Sequence, residues 1–194
     1  EFHVRQCDGA SLRPAWAAVH SQLLLHLNYV PDCDPEAAFT EHLRWAQLHA
    51  EPVERVCDYT NRRDPERRLR IGYVSPDFRI NPVSYFFAPL LKHHDAACFE
   101  TVCYDTGARA EDAVTDSLRA AAGDWRRVNG LADAELAALI GQDEIDILVD
   151  LAGHTPNNSL TMFALKPAPV QVSYLGYANT TGMSAMDYRF TDAI

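Results

Sequence analysis

Apolar positions recur at helical spacing at Leu12, Trp16, Val19, Leu23 and Leu27, which predicts a helix over residues 12–27. A second helix is expected from Pro35 to Ala50, with Asp34 as its N-cap and Pro35 at the first helical position, where no N–H is needed. Residues 52–68 lose the periodicity and are charged and arginine-rich, the pattern of a solvated connector. From Leu69 onward the pattern changes again. Short apolar runs, Leu69–Val74, Phe99–Tyr104, Trp125–Val128, Ile145–Leu151 and Val170–Leu175, predict strands. Between them Val83–Leu91, Ala110–Ala122, Leu131–Ile140 and Ser159–Leu165 have helical character. This alternation predicts an α/β fold with a doubly wound parallel sheet. The run IDILVDL from Ile145 has no polar alternation, as a strand covered on both faces requires. With Val170–Leu175 and the helical run between, it forms a βαβ unit whose crossover is right-handed. The sequence holds no internal repeat and no low-complexity segment.

In open sheets of this kind ligands sit beyond the carboxyl ends of the strands, so the loops after Val74, Leu151 and Leu175 matter most. Ser75–Pro82 leads from a strand into a helix that opens on Pro, which brings backbone N–H groups and the positive end of a helix dipole to the site and favours an anionic ligand. Neither GxGxxG nor GxxxxGK[ST] occurs, which demotes dinucleotide and P-loop readings. Asp77 has two readings, a site carboxylate or a helix cap or turn residue. His154, with Thr155, Asn157 and Asn158, reads either as a polar lid over a sugar or phosphate or as the cap of the next helix. His93 and His94 end a helix and read as surface residues. His42 and His49 are spaced too widely to suggest a ligand set, and His20 and His26 are either structural or candidate bases. Phe163–Gly182 joins a strand to a loop of glycine and small polar residues, which points to a sugar-nucleotide site.

With 194 residues and 47% hydrophobic content the chain can bury a substantial core. A net charge of −10 disfavours nucleic acid and anionic membranes as partners. The five cysteines are scattered with no CxxC pair, so neither a disulfide framework nor a zinc site is indicated, and a cytoplasmic location is expected. No apolar run approaches the roughly 20 residues of a membrane span. The opening EFHVRQCDGA has neither initiator Met nor signal-peptide pattern, so a fragment of a longer protein is expected.

LRIGYVSPDF at Leu69–Phe78, FETVCYD at Phe99–Asp105, ILVDLAGHT, FALKPAPVQVSYLGY and MDYRFTD occur in one order along the chain. Together they resemble the first catalytic lobe of the protein O-GlcNAc transferases, the family that includes the plant SPINDLY proteins, in a bacterial-type member. The resemblance covers about residues 16–194. It implies a GT-B glycosyltransferase whose second, UDP-holding lobe lies beyond this chain. Residues 67–194 would form the N-terminal Rossmann-like lobe, and residues 1–66 a helical junction to tetratricopeptide repeats. It further implies inverting, metal-independent transfer of N-acetylglucosamine from UDP-GlcNAc to Ser or Thr hydroxyls of a protein or peptide acceptor. His20, in the family's His-Ser pair with Ser21, corresponds to a proposed catalytic base, and Asp77 to an aspartate also discussed as a base. Asn81, Pro82 and Val83 stand at the donor-side position where the family has His-Pro-Thr, and Tyr85 replaces its second histidine. Leu175, Gly176, Tyr177 and Ala178 match the loop lining the sugar pocket, with Ala178 where animal enzymes have Pro. Two alternatives stand beside this reading: a SPINDLY-type fucosyltransferase using GDP-fucose, and a non-catalytic binding homologue suggested by Asn81 and Tyr85.

Overall fold

The computed structural model describes residues 13–56 and 58–191. Two helices come first, α1 (Arg13–Leu27) and α2 (Pro35–His49). The Asp34 carboxylate accepts the Glu36 N–H and starts α2 where the sequence predicts. A six-stranded sheet follows, built from β1 (Leu69–Ser75), β2 (Phe99–Asp105), β3 (Asp124–Arg127), β4 (Ile147–Asp150), β5 (Val170–Tyr174) and β6 (Tyr188–Phe190). The strands lie in the order β3-β2-β1-β4-β5-β6 and every neighbouring pair is parallel. The connecting helices are α3 (Pro82–Lys92), α4 (Ala113–Ala121), α5 (Asp133–Gln142) and α6 (Leu160–Ala164). The fold is thus the α/β parallel sheet that the alternating pattern predicts, in the Rossmann-like form that the resemblance implies.

Two differences from expectation have local causes. α4 begins at Ala113 because Asp112 caps it, accepting the Val114 and Thr115 N–H groups while the Thr115 hydroxyl accepts the Asp112 N–H. β6 was not expected. Its three residues are all exposed at the sheet edge, so burial leaves no mark on their sequence.

The strands are apolar on both faces because each face carries helices. On one, Ile71, Tyr73, Val149 and Val172 pack with Phe87, Leu91 and Leu118 of α3 and α4. On the other, Val74, Val102, Tyr104 and Leu148 pack with Ile140 and Phe163, and this cluster runs on into Leu24 of α1 and Trp45 of α2. The two leading helices therefore share the core of the sheet. Successive strands are added to one side from β1 to β3 and to the other from β4 to β6, which makes the carboxyl ends of β1 and β4 the topological switch point.

The stretch expected as a solvated connector is strapped to the sheet's amino-terminal side. The Tyr59 hydroxyl donates to the Lys166 carbonyl at 3.0 Å, and the Asn61 amide donates to the Glu144 carbonyl at 2.9 Å. Asp146 gathers the strap: its carboxylate accepts from the Arg67 guanidinium through both oxygens, from the Arg70 N–H and from Asn61. Burial pushes this carboxyl up, but the hydrogen bonds from Arg67, Arg70 and Asn61 outweigh it and hold it below the usual carboxylate range. Removing it leaves the Arg67 guanidinium bonded only to the Arg62 and Arg68 carbonyls, with its charge unmatched by the carboxylate. Asp146→Ala should therefore lower the unfolding free energy in urea by about 2–4 kcal/mol, whereas Asp64→Ala on the exposed Arg62 pair should change it by under about 1 kcal/mol.

Candidate functional site

Three loops meet at the carboxyl end of the sheet. In the first, after β1, the Ser75 hydroxyl accepts the Asp77 N–H at 3.0 Å, and the Asp77 carbonyl accepts from the Arg79 N–H and the Ser84 hydroxyl, both at 2.7 Å. The Asp77 carboxylate is about one-quarter exposed and lies 3.6 Å from the Arg79 guanidinium. Capping of α3 falls instead to Asn81, whose side-chain oxygen accepts the Val83 N–H at 2.9 Å and whose amide NH2 has no hydrogen-bond partner among the described residues. The Ile80 N–H is bound by the Asp112 carboxylate at 2.8 Å. Tyr85 is exposed.

In the second loop, after β4, the Asp150 carboxylate accepts the Ala152 and Gly153 N–H groups at 3.0 and 2.8 Å. Burial pushes its carboxyl up to about 6, against the pull of those two N–H groups. Gly153 has φ +54°, and a Cβ there would lie 2.2 Å from the Tyr177 Cβ, so glycine is required on both counts. His154 is fully buried and forms no lid, while the cap reading of its loop holds at Asn158, whose side-chain oxygen accepts the N–H of Leu160 at the start of α6 at 3.2 Å. Its Nε2–H donates to the Thr181 carbonyl at 3.0 Å and its Nδ1 accepts from the Ser21 hydroxyl at 3.0 Å. Burial, with His42 and His20 nearby, pushes this imidazole down to about 3, so it is neutral. The Thr155 hydroxyl turns back to the Ala152 carbonyl at 2.9 Å, and α6 starts only at Leu160.

The third loop, after β5, is the tightest. Leu175 adopts φ +67°, a left-handed conformation costing a branched residue roughly 1–3 kcal/mol and held only where the surroundings impose it. Gly176 imposes it: a Cβ there would fall 1.8 Å from the Leu151 carbonyl oxygen. Tyr177 is buried and its hydroxyl bonds to α1 and α2, so its side chain anchors the loop rather than lining open space. Ala178 is exposed, and its carbonyl accepts from Arg189 at 2.7 Å.

Asp77, Asn81 and Leu175–Ala178 thus flank the β4 loop at one end of the sheet. His20 is placed differently. Its Nε2 lies 2.9 Å from Glu41 and its Nδ1 3.2 Å from His49, both on α2, while its neighbour Ser21 reaches the β4 loop. His26 is exposed and bonds the Gln22 carbonyl. His94, expected at the surface, is part-buried with its Nε2 2.6 Å from the Tyr73 hydroxyl. Asp150, Asn28 and His42 escape a sequence reading. Asp150 is marked only as the charged end of an apolar run, and His42 only by its proximity to Trp45 on one helix.

Residues 43–194 match the family description Glycosyl transferase family 41. The chain belongs to this family. It is 39% identical over 175 residues to SPINDLY of Petunia hybrida, described as a probable UDP-N-acetylglucosamine–peptide N-acetylglucosaminyltransferase, covering 88% of this chain and 19% of that protein. The Caenorhabditis elegans UDP-N-acetylglucosamine–peptide N-acetylglucosaminyltransferase is 36% identical over 129 residues, covering 66% of this chain and 11% of that protein. A solved structure of a mutant Thermobaculum terrenum O-GlcNAc transferase superposes with a TM-score of 0.85 at 47% identity, covering 92% of this chain and 34% of that one. This family 41 lobe therefore spans about one-fifth of the plant relative and one-third of the bacterial structure's chain. Among the described residues no helix is long and apolar enough to cross a membrane, and no group of three or more His, Cys, Asp or Glu is disposed to hold a metal ion.

The buried imidazole makes the lobe acid-sensitive. His154 has a folded-state pKa below its unfolded one, so its contribution is complete above about 6.5 and is lost as pH falls toward about 3. Asp150, raised to about 6, acts with the opposite sign over part of that range. A comparison with His154→Gln cancels Asp150, which both proteins retain. The variant should be less stable at pH 7, and the gap should close by up to about 1.4 kcal/mol per pH unit between pH 6 and 4, measured by urea unfolding.

Proposed function

We propose that this chain is the N-terminal lobe of an enzyme that transfers N-acetylglucosamine from UDP-GlcNAc to Ser or Thr hydroxyls of proteins, with inversion. The observation that carries the reading is the Leu175–Gly176 turn. It is driven against the Leu151 backbone at the open end of the sheet, in a chain 47% identical to a bacterial O-GlcNAc transferase. A backbone this closely packed offers a rigid wall for a sugar, and rigidity lowers the cost of binding. Leu175, Gly176 and Ala178 would face the sugar, and the free amide of Asn81 would donate to the donor from the β1 loop beside Pro82 and Val83. Residues before 67 would join this lobe to tetratricopeptide repeats, and the second lobe would hold most of the uridine diphosphate.

In the reaction the acceptor hydroxyl oxygen forms a bond to the anomeric carbon as the bond to the diphosphate oxygen breaks. UDP departs with the electron pair, and the hydroxyl proton passes to a base. His20 is the first candidate, since Glu41, 2.9 Å from its Nε2, would hold the ring in orientation. Both its ring nitrogens are engaged, so proton uptake would run along the Glu41–His20–His49 chain. Asp77, on the β1 loop, is the second candidate. Charge on the leaving diphosphate would be met by helix N-termini and donors of the second lobe, without a metal ion.

With the complete protein and a peptide acceptor, His20→Ala should lower transfer from UDP-GlcNAc by about a hundredfold, while His20→Gln, which keeps a polar side chain between Glu41 and His49, should lose transfer with a smaller change in melting temperature. Transfer at the parental rate would remove His20 from the mechanism and leave Asp77→Asn to be examined. The wall makes a separate demand. Gly176→Ala cannot be seated without moving Leu151, so donor affinity measured by calorimetry should drop by roughly tenfold or more.

A further inference from the structure

The Tyr177 hydroxyl joins the leading helices to the β5 loop, and every hydrogen-bonding role around it is assigned. His42 donates its Nδ1–H to the Ala38 carbonyl at 2.7 Å, which leaves the Nε2 lone pair to accept the Tyr177 O–H, also at 2.7 Å. The Asn28 amide donates to the same phenolic oxygen at 3.0 Å, and the Leu24 carbonyl, 3.2 Å away, competes with the closer His42 Nε2 for the single O–H proton. The phenol ring stands edge-on to His154, with centroids 5.3 Å apart, and lies where any side chain on Gly153 would clash. Two residues earlier in the chain is Leu175, whose left-handed backbone persists only while its surroundings hold it. His42 is fully buried, and its carbonyl oxygen lies where a Cβ at Gly182, at the other end of the same loop, would come within 2.3 Å. The loop is therefore bonded to α2 at Tyr177 and packed closely against it at Gly182.

We propose that His42 and Asn28 are positioning residues for the donor-sugar loop: acting through the Tyr177 hydroxyl, they let α1 and α2 set the conformation of Leu175–Ala178. The inference rests on the reading above that this loop faces the sugar. No bond from His42 or Asn28 to Leu175 or Gly176 is present among the described residues: His42 reaches the loop through the phenol, and Asn28 reaches it both through the phenol and through its side-chain oxygen, which accepts from the Asn179 amide at 3.3 Å. A loop held in its binding conformation spares the donor the cost of ordering it, so loss of the latch should weaken donor binding more than it slows the chemical step.

The test uses the complete protein with Tyr177→Phe, His42→Leu, the double variant and His42→Gln, whose amide oxygen restores an acceptor near the Nε2 position. Hydrogen exchange across residues 174–182, measured without donor, should quicken about tenfold in Tyr177→Phe, which loses the bonds to both His42 and Asn28, by less in His42→Leu, and in the double variant no further than in Tyr177→Phe, as for one shared interaction. KM for UDP-GlcNAc should rise about tenfold while kcat stays within about threefold. His42→Gln should recover most of both. If His42→Leu fails to fold, Tyr177→Phe, which removes a single oxygen, carries the test. Unchanged exchange in Tyr177→Phe overturns the proposal, and so does faster exchange with unaltered KM, which would make the latch structural only. Should the parental protein neither bind nor turn over UDP-GlcNAc, the function proposed above fails, while the latch is still judged by exchange alone.

Discussion

The approach of two backbones governs this end of the molecule: at Gly176 the chain leaving β5 passes so close to the Leu151 carbonyl that no side chain fits between them. That approach follows from the parallel pairing of β4 with β5, which sets Asp150 beside Ser173 and sends both loops out of the sheet together. Leu175 absorbs the resulting bend in a left-handed conformation, and Gly153 gives way to the ring of Tyr177. Each loop is shaped by the other. A site assembled this way resists thermal rearrangement because moving one loop requires moving both.

The leading helices complete the arrangement. Leu24 and Trp45 continue the core of the sheet, while Ser21, Asn28 and His42 supply the polar ends of bonds whose other partners lie on the β4 and β5 loops. Burying two histidines is costly unless each ring nitrogen is satisfied, and both rings are fully satisfied as neutral imidazoles. Such a network specifies one docking geometry for the helices, where apolar contacts alone would tolerate sliding.

How much of this was legible in the sequence differed by kind of feature. The apolar runs at Leu69, Phe99, Ile145 and Val170 stood out because a sheet covered on both faces needs them, and Asp34 marked the start of α2 by a rule confined to neighbouring residues. β6 stayed hidden because an exposed edge strand of three residues has no burial to record. His154 and Ser21 were each noticed, but the bond between them spans 133 positions and has no local signature. Asn61 and Arg67 looked like part of a solvated connector because charge usually means exposure, and only Asp146, brought alongside by the fold, turns them inward. The motif from Leu165 to Gly182 was legible as a family pattern, but the buried, anchoring role of Tyr177 was not.

The acidic residues that close β2, β4 and the entry to α4 have an electrostatic consequence. Asp105 takes the Gly107 N–H, Asp150 those of Ala152 and Gly153, and Asp112 those of Ile80, Val114 and Thr115. In many nucleotide-binding sheets such outward N–H groups form the nest that cradles a phosphate. Here the protein's own carboxylates already occupy them. This end of the sheet is thus furnished as if anions were already bound, so these N–H groups are closed to a phosphate, and in the enzyme proposed above the diphosphate charge is left to the second lobe.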